Sequence, residues 1–109
     1  MLPSEIIILM TIVVDGKAGK KLLTHLLDIS SEYIGYFYNS LVNRGYLKRH
    51  GSDSYQLAPA GREAILDFLK KTQTMSKDIV KRLRSLGMEL NPKQVQKIEK
   101  MEQEAARVN

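Results

Sequence analysis

Cysteine is absent from the 109 residues, which excludes disulfide staples, thiolate metal sites and cysteine nucleophiles. The absence fits a reducing compartment, and a cytoplasmic protein is expected. Only two histidines are present, His25 and His50, and neither stands near a paired carboxylate or a serine in a catalytic pattern. Glycine-rich phosphate loops, HExxH, Walker and EF-hand sequences are all missing. Gly16-Lys17-Ala18-Gly19-Lys20 lacks the full spacing of a phosphate loop and reads as an ordinary turn between helices. The expectation is therefore no catalysis, no metal and no cofactor. The most apolar run, residues 6–14, is too short to span a bilayer, so no membrane partner is expected. Pro3 and Glu5, with no early Lys or Arg, are unlike a secretory signal.

What is present is a moderate excess of positive charge, +5 in all. Residues 1–60 hold six Lys/Arg against five Asp/Glu, and residues 61–109 hold eleven against seven. A positive surface attracts polyanions and favours phosphate contact. The alternative is that the charge only keeps a small domain dissolved. The length suits one compact core with a helical appendage.

Along the chain, Pro3 and Ser4 suit a helix start, and Ile6, Ile7, Leu9, Met10, Val13 and Val14 follow. Two glycines within residues 15–19 make a break. A second helix is expected over 20–27, carrying Leu22, Leu23, Leu26 and Leu27, with a turn at 28–30. Ser30 can then cap a helix over 30–44, with Glu32 at its positive end and Gly45 as its stop. Ile34, Phe37, Tyr38 and Leu41 recur at three and four and share its inner face. Glu32, Tyr36, Asn39 and Asn43 fall on the opposite side, flanked by Gly35 and Ser40. Tyr46-Leu47-Lys48-Arg49-His50 and Ser54-Tyr55-Gln56-Leu57 form a hairpin around the polar turn Gly51-Ser52-Asp53.

The run Leu41-Val42-Asn43-Arg44-Gly45-Tyr46-Leu47, followed by Tyr55-Gln56-Leu57-Ala58-Pro59-Ala60-Gly61, resembles the signature of winged helix-turn-helix DNA-binding domains. MarR-like and PadR-like regulators are the nearest in style. In that family a leucine, a charged residue and a glycine close the recognition helix; a strand, a wing and a Y-x-L-T-x-x-G entry to the next helix follow. Pro59 and Ala60 stand where threonine and a variable residue are common, which alters a cap and keeps the glycine. The resemblance covers residues 3 to 70 and implies a mainly α fold with a small β-hairpin wing. Residues 1–71 form the winged unit under this reading.

Beyond it, Gly61 to Lys71 reads as a helix with Ile65, Leu66, Phe68 and Leu69 inward, and 72–76 is a weak stretch in which Ser76 can cap a new helix. Ile79, Leu83, Leu86 and Leu90 make one stripe, interrupted by Gly87. Asn91 and Pro92 open a last helix with Val95, Ile98, Met101 and Ala105 on one side. Two such stripes exceed what a small winged core needs to bury. Residues 72–109 are therefore expected to be C-terminal dimerisation helices of a homodimer, the alternative being that they fold back on their own domain.

Double-stranded DNA is the partner that the resemblance implies. The helix over 30–44 would enter the major groove, with contacts from Ser31, Tyr36, Asn39, Ser40 and Asn43. The wing over 46–57 would lie on the backbone or minor groove, where Lys48, Arg49 and His50 supply register and affinity. A dimeric transcription regulator would place half-sites about 34–36 Å apart. Two other functions stay open: DNA partition or architecture, and a winged module that binds protein. The helix over 30–44 carries no Lys or Arg before Arg44, which favours the last of these.

Overall fold

The computed structural model of the chain describes residues 3–15, 18–19, 31–51 and 54–107. The fold is mainly α, with a small antiparallel β-hairpin. Helix α1 spans Pro3–Asp15 and is the centre of the core. Ile6, Ile8, Leu9, Met10, Ile12 and Val14 are all buried, too many to fit on one stripe. A helix apolar on nearly all sides must be covered on nearly all sides, and α1 is. The buried hydroxyl of Thr11 is satisfied within the helix, its Oγ1 donating to the Ile8 carbonyl at 2.6 Å.

Strand β1, Ala18–Gly19, lies in the stretch expected to be only a break. It pairs antiparallel with β3, Ser54–Leu57, which pairs on its other side with β2, Leu47–His50. The sheet order is β1-β3-β2. The expected helix over 20–27, its turn at 28–30 and the turn residues Ser52 and Asp53 lie outside the described residues.

Helix α2, Ser31–Asn43, buries Ile34, Tyr38 and Leu41 and half-buries Phe37, as its spacing predicts. Gly45 ends it at φ +84°. The Tyr46 N–H reaches the Leu41 carbonyl at 2.9 Å and the Gly45 N–H reaches Val42 at 3.0 Å, so the last carbonyls of the helix are satisfied. β2 follows this closure and packs against α2.

Helix α3, Pro59–Thr72, follows the hairpin. The altered cap falls at Ala58, one residue earlier than the sequence comparison placed it, and no side chain caps the helix there. Gly61 is the reason α3 can sit where it does: a Cβ there would overlap the Tyr46 carbonyl and lie 2.8 Å from Leu57 Cδ1. That same carbonyl accepts the Ala58 N–H at 3.0 Å, so neither side can retreat. α3 ends in left-handed Gln73, and helix α4 runs over Ser76–Ser85.

Ser76 does not cap α4 as its hydroxyl type suggests. Its N–H and Oγ instead both donate to the carboxylate of Glu102, at 2.9 and 3.0 Å. Glu102 stands on helix α5, Pro92–Arg107, so α5 supplies the negative charge that the start of α4 favours. Gly87, expected as an interruption, closes α4 at φ +97° with the Met88 N–H on the Leu83 carbonyl at 3.1 Å. Asn91 caps α5 as expected. Gln94 completes a reciprocal pair, each side chain accepting from the other's backbone N–H at 2.9 Å.

The two C-terminal stripes are covered within the chain. Ile79, Val80 and Leu83 of α4 and Ile98, Met101 and Ala105 of α5 are buried in the same cluster as α1, Ile65 and Leu69. α5 packs on α1, α3 and α4 together. The apolar faces of α4 and α5 thus lie in one core with α1, α2 and α3.

Candidate nucleic-acid interface

The outer face of α2 is polar and accessible. Tyr36, Asn39, Ser40 and Asn43 are exposed, Tyr36 at 75 %. The Ser31 side chain lies outside the described residues. Tyr33, passed over in the sequence, is also exposed, at 64 %. It stands three residues before Tyr36, nearly one turn, so the signal that placed Tyr36 outside applied to it too.

This face holds Glu32 and no cation of its own. Arg44, just past the helix, is held elsewhere. It forms an ion pair with the buried carboxylate of Glu5 on α1, and its guanidinium lies 5.4 Å from the Tyr46 ring centroid. Among the described residues packed against α2, positive charge comes from β2, where Lys48, Arg49 and His50 are all exposed.

The three do not act as one patch. Side chains alternate along a strand, so Arg49 shares the face of Leu47 and Tyr55 while Lys48 and His50 share the other. The side chains of Lys48 and His50 make no hydrogen bond or ion pair with the described residues. Arg49 reaches back across the hairpin. Its guanidinium lies 5.8 Å from the Tyr55 ring centroid and donates to Asn39 Oδ1 at 2.5 Å. Arginine has only donors, so the accepting atom of Asn39 is its oxygen.

Beneath this link the rings of Tyr38 and Tyr55 stack in parallel, centroids 4.1 Å apart. Both hydroxyls are buried without a hydrogen-bond partner among the described residues. Burial, and after it the neighbouring Tyr55, raises the Tyr38 pKa. Helix α2 and the hairpin are thereby joined twice, by stacked rings inside and by Arg49–Asn39 at the surface.

Among the described residues no three metal-binding side chains gather, and no helix is long and apolar enough to cross a membrane. His25 lies outside the described residues. Comparison of the chain with protein families, with curated proteins and with solved structures finds no match in any of the three.

Proposed function

We propose that this chain is a sequence-specific double-stranded DNA-binding protein of winged helix-turn-helix type, acting as a transcription regulator. Helix α2 enters the major groove, and the β2–β3 hairpin lies on the neighbouring backbone. One observation carries the reading: an exposed amide-bearing helix face is joined to a strand whose accessible side chains are Lys48, Arg49 and His50. The amides suit base edges, and the cations suit phosphates. A C-terminal dimer is not needed for this, because those apolar faces are used within the chain.

Binding isotherms test it, on a duplex selected from a random library and on its scrambled counterpart, each at two salt concentrations. Lys48→Ala weakens both duplexes alike and reduces the salt slope by about one. Asn43→Ala weakens only the selected duplex. Wild-type affinity that ignores salt, or a Lys48→Ala variant that binds as wild type, removes the DNA assignment.

A second reading has its own observation. Tyr33 and Tyr36 are exposed on a helix without cations, and tyrosine is enriched at protein interfaces. A protein-binding module is the outcome if duplex binding is lacking and a partner is lost on Tyr36→Ala.

A further inference from the structure

The geometry points to Arg49 and Asn39 acting together as one reading unit for guanine, an inference that rests on α2 lying in a major groove. Asparagine alone suits adenine: its oxygen accepts from N6 while its amide donates to N7. Here that oxygen already accepts from Arg49, and a guanidinium sits beside whatever lone pair remains. A base amino group brought to the same oxygen would meet positive charge. What the pair offers outward is donors: the Asn39 amide N–H groups and the N–H groups of Arg49 not spent on Asn39.

Four base edges face the major groove, and guanine alone presents two hydrogen-bond acceptors with no donor. Adenine and cytosine carry amino groups there, and thymine has one acceptor beside a methyl. The donor array of Arg49 and Asn39 therefore matches guanine O6 and N7. Arg49 is placed for this by three things: its strand face, its register opposite Tyr55, and the ring beneath its guanidinium. Lys48 and His50, on the other strand face, are left to the backbone. The wing arginine thus specifies a base through the helix instead of gripping phosphate.

The test selects duplexes from a randomised library with the full chain and with Arg49→Ala. The position read by Asn39 is the one whose preference disappears in Asn39→Ala. The wild type is expected to favour guanine there by about tenfold and to lose most of that on 7-deazaguanine, which removes N7. Arg49→Ala is expected to turn that one position from guanine to adenine and leave the rest of the site intact, a change that mere loss of stability does not produce. Wild-type preference for adenine at that position overturns the inference, and needs no variant to fold. So does an unaltered guanine preference in Arg49→Ala. Either result leaves the DNA reading standing, whereas a wild-type selection that enriches no duplex overturns both.

Discussion

The ring of Tyr38 lies parallel to that of Tyr55 with centroids 4.1 Å apart, and neither hydroxyl finds a partner among the described residues. A buried donor left unsatisfied costs about 1–3 kcal/mol, so the two hydroxyls weaken the fold at the very joint that aligns α2 with the hairpin. Tyr38→Phe keeps the stacked ring and removes one of them. It should raise stability by about 1 kcal/mol, read as a rise in Tm of about 4 °C or more.

The same pair makes the protein sensitive to alkali. Burial first, and Tyr55 second, raise the Tyr38 pKa in the folded chain above the ordinary tyrosine value. The folded state therefore keeps its proton where the unfolded chain has begun to lose one, near pH 10. That contribution to stability is complete below about pH 10 and is lost as pH rises from there towards the folded-state pKa. Urea melts at pH 8 and pH 11 should show a smaller loss for Tyr38→Phe than for wild type. An equal loss in both would mean that Tyr38 ionises as freely in the folded chain as in the unfolded one.

Gly61 is the point where α3 meets the start of the hairpin. An added methyl would overlap the Tyr46 carbonyl, which is already engaged by the Ala58 N–H. Overpacking in a yielding core costs about 1–3 kcal/mol, and here the obstacle is backbone. Gly61→Ala should therefore cost about 3 kcal/mol in a urea melt, whereas Ala60→Gly, on the exposed neighbour, should cost about 1 kcal/mol at most.

Much of this arrangement is legible in the residues themselves. The inner face of α2, the stop at Gly45, the break after Thr72 and the Asn91–Pro92 start all follow from local chemistry, and all are found. What escapes is set at long range. β1 is two residues, Ala18 and Gly19, a strand only because β3 offers it an edge. The partner of Ser76 stands 26 residues away on α5, beyond any capping rule. The stripes of α4 and α5 were plain, but a stripe says that a face is covered and not by what. The exposed face of α2 was legible down to Asn39; the hold of Arg49 on its oxygen depends on the hairpin register.

Glu102 offers a sharper case of that long-range chemistry. It receives the Ser76 N–H and hydroxyl at the start of α4, where negative charge is favoured. Glu102→Ala removes the cap and should cost about 1–2 kcal/mol. Glu102→Gln retains one acceptor without the charge and should cost about half as much. Thermal melts of the two variants separate hydrogen bond from charge, and equal losses would assign the effect to charge alone.

The packing of α5 decides whether the C-terminal helices belong to this core or to a second chain. Ile98 is fully buried in the cluster that contains α1, with Met101 and Ala105 beside it. Ile98→Ala should leave a cavity and cost about 2–5 kcal/mol. If α5 packs within its own chain, that loss is the same at any protein concentration. If the helix instead served a dimer, dilution would lower the Tm of the wild type, because association of folded chains adds stability by mass action. Melts of wild type and Ile98→Ala over a hundredfold range of concentration should superimpose within each protein. A wild-type Tm that climbs with concentration would move the α5 face from the interior to an interface.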